Sequence, residues 1–147
     1  MMVGRLIALM GAALLAAPVM AVDYRSVNVP AAILYDVPSA KGQRLYIVRQ
    51  HTPLEVVVRL EGMVKVRDAE GTLAWIEAAA LTDKRHVVVV VGRAEIRSEA
   101  RDDAPPAFEA EKWVALELLE TATPGWAKVR HRDGSSGYVR ANQVWGL

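Results

Sequence analysis

One short pattern occurs twice in this chain at a fixed distance. Gly62-Met63-Val64-Lys65-Val66-Arg67 returns 63 residues later as Gly125-Trp126-Ala127-Lys128-Val129-Arg130. The same offset carries Gly71 onto Gly134, Trp75 onto Tyr138, Ile76 onto Val139 and Leu81 onto Val144. Upstream, Leu54-Glu55-Val56-Val57 falls on Leu116-Glu117-Leu118-Leu119 after a one-residue slip. A fixed period means one small unit built twice, and it constrains the fold more than any local propensity does.

Residues 1–21 read as an export leader. Arg5 gives a positive start, Leu6 to Ala17 is an apolar run, and Val19-Met20-Ala21 is a small-residue cleavage site. The run is shorter than the roughly 20 apolar residues needed to cross a bilayer, and it ends at Pro18. Cleavage after Ala21 predicts a mature chain beginning at Val22, located in the periplasm or secreted. The sequence has no cysteine, which excludes a disulfide framework, a lipid-anchored N-terminus and a thiol nucleophile. Without the leader the chain carries 17 basic and 17 acidic residues. That balance argues against nucleic acid, whose phosphates require a cationic excess. Arg93, Arg97 and Arg101, or Lys128, Arg130 and Arg132, read as solvated strand faces.

The local pattern is β throughout. Leu54, Val56, Val58 and Leu60 alternate with Glu55, Val57 and Arg59, the period-2 mark of a half-buried strand. Val64 and Val66 alternate with Lys65 and Arg67 in the same way. Asp68-Ala69-Glu70-Gly71 and Arg132-Asp133-Gly134 are hairpin turns, because glycine accepts the positive φ such turns require. Glu77 to Ala80 offers a single helical turn before Leu81. His86-Val87-Val88-Val89-Val90-Val91 does not alternate, so some of its valines must face away from their own unit, and the two copies are expected to pack through it. Pro105 and Pro106 exclude a central strand there and set a loop from Ala100, matched in the first copy by Pro38 to Arg44. Thr82-Asp83-Lys84-Arg85 is a polar break. The organisation is therefore a leader over 1–21, a first unit over 22–81, a linker over 82–85 and a second unit over 86–147. Units of about 60 residues are marginal alone and lean on one another.

Gly125-Trp126-Ala127-Lys128-Val129-Arg130, then Asp133-Gly134, then Gly137-Tyr138-Val139, resembles the bacterial SH3 domain. The first copy departs from the pattern, with Met63 in place of Trp126 and Ala74 in place of Gly137. Together with the leader, with Ile33-Leu34-Tyr35-Asp36-Val37-Pro38-Ser39 and with the ending Val144-Trp145-Gly146-Leu147, the chain is similar to exported tandem SH3-like proteins of proteobacteria. The resemblance implies an all-β fold of two small, partly open barrels of about five or six strands each. It also implies a non-catalytic binding role in the cell envelope, toward cell-wall peptide or glycan, or as an adaptor docking on another envelope protein.

Strand alternation puts Trp126, Lys128 and Arg130 on the face opposite Ala127 and Val129. A Trp beside two cations suits a sugar or a peptide, and the same ring also suits a cap packed beneath a loop. Trp75 and Tyr138 hold equivalent positions with the same two readings, whereas Trp145 reads as packing. Ile33-Leu34-Tyr35-Asp36 is similar to the aromatic segment that lines the proline-binding groove of eukaryotic SH3 domains, which makes Tyr35 a further candidate. The second copy has Glu95-Ile96-Arg97-Ser98 at that place, so the motif does not repeat. His51, His86 and His131 lack metal-ligand spacing. No carboxylate pair is placed for hydrolysis, and no glycine-rich phosphate loop is present. No catalytic residue, metal or other cofactor is expected.

Overall fold

The computed structural model describes residues 15–18 and 20–147. Arg5 and most of the apolar run of the expected leader lie outside the described residues. Among the described residues no helix is long and apolar enough to cross a membrane.

The first unit contains β1 (Tyr24–Val27), β2 (Ala31–Tyr35), β3 (Arg44–Arg49), β4 (Pro53–Arg59), β5 (Met63–Arg67), β6 (Leu73–Glu77) and β7 (Leu81–Thr82). The second contains β8 (His86–Val89), β9 (Arg93–Arg97), β10 (Pro106–Glu111), β11 (Ala115–Glu120), β12 (Trp126–Arg130), β13 (Ser136–Arg140) and β14 (Val144–Trp145). Each forms one antiparallel sheet with the same strand permutation, β3-β2-β6-β5-β4-β1-β7 and β10-β9-β13-β12-β11-β8-β14. The repeat read from the sequence is thus a repeat of topology. There are seven strands per unit because the first pass is interrupted around Pro30 and Gly92 and a two-residue strand, β7 or β14, pairs separately at the end. A single 3-10 turn, Ala78–Ala80 or Ala141–Gln143, precedes the last strand of each unit. β7 reaches Thr82, so the polar break between the sheets is only three residues long.

Turn chemistry fixes the hairpins. The Asp68 carboxylate accepts the backbone N–H of Glu70 at 3.0 Å and of Thr72 at 2.9 Å, and Gly71 takes φ +89°. In the second unit Asp133 accepts Ser135 N–H at 2.8 Å and Gly134 takes φ +93°. The β4–β5 pairing slips between Val56 and Val58, and the β11–β12 pairing slips at the equivalent place between Leu118 and Glu120. A bulge adds a residue and bends the strand, which lets a short sheet curl on itself. It also corrects the alternation read over β4. Leu54 is fully buried, but Val58 is 41% exposed because the bulge turns it out of the core.

Each unit has its own core. Val27, Leu34, Leu54, Val66 and Ile76 lie at the centre of the first, and Val87, Val89, Ile96, Leu116, Val129 and Val139 at the centre of the second. Pro106 opens β10, an edge strand, where its missing N–H disrupts no inner ladder.

The units meet along a seam in which only part of the valine run takes part. Val87 and Val89 point into their own core, whereas Val88, 6% exposed, lines the groove between the units together with residues of the first. Several rings meet in the seam. Tyr24 meets Trp145 edge-on at 5.1 Å, His51 stacks on His86 at 4.5 Å, and His86 Nδ1 lies 3.2 Å from the Ser26 hydroxyl. The Arg85 guanidinium covers the Tyr24 ring at 5.4 Å.

Candidate functional site

Four of the residues singled out in the sequence share one outward face of the second unit. β12 pairs with β13 so that Trp126 lies opposite Arg140, and Lys128 opposite Tyr138. Trp126 is half-buried and stands outside the core cluster. The Arg140 guanidinium sits 4.9 Å from its ring, and Lys128 Nζ sits 5.9 Å from the Tyr138 ring. Register also brings counter-ions that spacing along one strand does not reveal. Arg130 pairs with Glu117 at 2.8 Å, Lys128 with Glu120 at 3.8 Å, and Arg140 with Asp102. The Arg130 guanidinium holds the Glu117 carboxyl below the usual carboxylate range. The face therefore carries aromatic surface within a charge-compensated frame, a composition suited to a neutral, ring-bearing ligand more than to an anion.

The remaining two candidates belong to the first unit. Trp75 is half-buried, with Lys65 Nζ 6.0 Å from its ring, and is the positional equivalent of Tyr138. Tyr35 is 5% exposed, pairs through its backbone with Trp75, and lines a shallow recess with Ala32, Ile33 and Ile76. Met63 is buried where Trp126 is only half-buried. The arginines of β9 and its following loop are neutralised nearby, Arg93 by Glu109, Arg97 by Glu95 and Arg101 by Glu99 and Asp103.

A second feature was invisible in the sequence, since it is made by both repeats together. Between the units runs a groove of about 810 Å³, a size within the roughly 300–1,000 Å³ of ligand sites. It is lined by the end of β3, by the turns around His51 and Trp113, and by the tips of the β5–β6 and β12–β13 hairpins. His51 and Trp113 are equivalent positions, and both hold left-handed backbone, at φ 71° and 72°. Such a conformation is uncommon for bulky residues and points to a fixed local geometry. In each unit the residue donates its N–H to the end of the unit's first strand, His51 to Val27 O and Trp113 to Val89 O, both at 2.8 Å. The same turn thus aims His51 into the seam and leaves Trp113 47% exposed.

Among the described residues, no group of three or more His, Cys, Asp or Glu side chains is gathered to hold a metal ion. His86 is buried, and burial foremost, followed by His51, pushes its pKa below the ordinary value; Lys84 and Glu117 are the other groups that act on it. The unfolded chain takes up a proton near pH 6.5 that folded His86 resists. The seam's contribution is therefore complete above about pH 6.5 and is lost as the pH falls below it. The melting temperature is expected to drop between pH 7.5 and pH 5, and His86→Gln is expected to flatten that drop.

Two small antiparallel barrels of identical topology, joined at a ring-lined seam and each carrying an aromatic outward face, define a tandem of small β-modules. The chain belongs to the bacterial SH3 domain family, whose pattern matches residues 28–83 and again 90–146. Similar solved structures are NlpC2 from Trichomonas vaginalis (15% identity, TM-score 0.41, 88% of this chain and 50% of that one) and NlpC1 from the same organism (14%, 0.40, 97% and 51%). An NlpC/P60 family protein from Bacillus cereus is also similar (15%, 0.38, 84% and 56%). The chain thus spans about half the length of each of these structures. No curated protein matches it.

Proposed function

We propose that this protein is an exported, non-catalytic binding module of the cell envelope that recognises cell-wall material, with the glycan as the ligand best suited to its aromatic face. The observation that carries the reading is Trp126. Its ring stands outside the core, on the same face as Tyr138, and the cations around it are already paired. A face without net charge but with two rings suits stacking on sugars. Export follows from the leader read in the sequence, with cleavage after Ala21 placing the mature chain in the periplasm or outside the cell.

Retention on purified sacculi tests the proposal. Trp126→Ala is expected to weaken retention about tenfold or more, a loss of roughly 1.4 kcal/mol or more. Met63→Ala, at the buried equivalent position, is expected to change it less. Circular dichroism establishes that both variants are folded. A folded Trp126→Ala protein retained as well as the parent would refute the site.

A further inference from the structure

The groove between the units differs chemically from the Trp126 face. Most arginines of the described residues pair with carboxylates, but three cations that line the groove, Arg49, Lys112 and Arg132, take part in no ion pair among those residues. Two carboxylates also line it. Asp68 is already engaged, accepting from the Tyr46 hydroxyl at 2.9 Å and from two backbone N–H groups of its own hairpin. Hydrogen bonds from neutral donors leave the charge of Asp68 in place, so the lining holds three cations against two carboxylates, a net positive excess. Trp113 adds an exposed ring with Lys112 Nζ 4.8 Å from it.

The groove also contains an unpaired strand edge. Ile47, Val48 and Arg49 are consecutive residues of β3, and all three line it. Side chains alternate along a strand, and Val48 points into the core cluster while Ile47 is 65% exposed. Three successive residues reach one groove when the strand presents its backbone edge there. β3 is terminal in its sheet and pairs only with β2, so its other edge carries free N–H and C=O groups, apart from the Arg49 carbonyl, which accepts the Thr52 N–H at 3.3 Å. No proline interrupts it. The equivalent edge strand, β10, opens on Pro106 and does not line the groove.

We propose that this groove is a docking site for an extended, acidic segment of a partner protein, added as a strand along the free edge of β3. Backbone pairing supplies affinity without regard to sequence, and side chains alternating from the added strand supply selectivity. Carboxylates of the segment meet Arg49, Lys112 and Arg132, while an apolar side chain covers Trp113. A glycan presents no regular ladder of N–H and C=O groups, so this site takes a polypeptide. The function goes beyond wall binding and uses residues that the Trp126 face does not.

Calorimetric titration with a short synthetic L-peptide of alternating Glu and Val tests it. A Gln-for-Glu counterpart and a counterpart N-methylated at alternate amides serve as comparisons. The acidic peptide is expected to bind, and each counterpart to bind about tenfold more weakly or worse. Trp113→Asn, a residue that accepts left-handed backbone, and the pair Lys112→Glu with Arg132→Glu are each expected to weaken binding about tenfold. Trp126→Ala is expected to leave it unchanged. The proposal is overturned if the acidic peptide does not bind, if its neutral or N-methylated counterpart binds equally well, or if the Lys112/Arg132 charge reversal has no effect. Should Trp113→Asn fail to fold, the surface charge reversal still decides. Failure of the parent protein to be retained on sacculi, with peptide binding intact, would count against the wall reading alone.

Discussion

Val88→Asp is expected to lower the melting temperature of the entire protein by about 5 °C or more. Val88 is 6% exposed, it sits in β8 between β11 and β14, and its side chain faces the first unit across the groove. An aspartate there must bury a carboxylate at a packed position, at a cost of about 2 kcal/mol or more. For a protein of this size each kcal/mol moves the midpoint by about 2–8 °C. Because the seam joins two units that are each marginal alone, the transition is expected to remain single as it shifts. A melting curve identical to the parent's would mean that the seam contributes nothing to stability.

Gly137→Ala is the second large effect. A Cβ at Gly137 would stand 2.5 Å from the Arg97 carbonyl oxygen and 2.6 Å from Ile96 Cγ2. Backbone cannot yield as a flexible side-chain end does, so β13 and β9 must separate where they pair, at a cost of about 1–3 kcal/mol. The first unit provides an internal control, since Ala74 occupies the equivalent place and is 2% exposed. Ala74→Gly is expected to cost only about 0.5–1 kcal/mol, from backbone freedom and a lost methyl. Urea titrations of the two variants side by side give the comparison.

The contrast between these positions marks what the sequence could convey. The period of the repeat placed β5 on β12 and β6 on β13, and glycine and aspartate placed the hairpins, because turn chemistry is local. The barrel topology followed from the resemblance carried by the second copy. Alternation was trustworthy along β5 but failed in β4, where a bulge that leaves no mark in composition turns Val58 outward. The outward face of Trp126, Lys128 and Arg130 was legible from alternation. Its counter-ions Glu117 and Glu120 come from β11, and only the register reveals them. Trp113 gave no signal at all, because its exposure depends on a left-handed backbone that sequence rules assign to Gly or Asn. The His51–His86 stack and the groove depend on how two copies sit together, and no pattern within one copy encodes that.

The edge-on contact of Tyr24 with Trp145 has a mechanical side. It holds the first strand of one unit against the last strand of the other, so β1 and β14 meet at one seam. A load applied through β1 and β14 acts on that seam before it reaches either core. The ring contact and the histidine stack bear that load together with the short strands beside them. A tether through the two ends would therefore open the seam first, and the two sheets, each marginal without it, would follow at once.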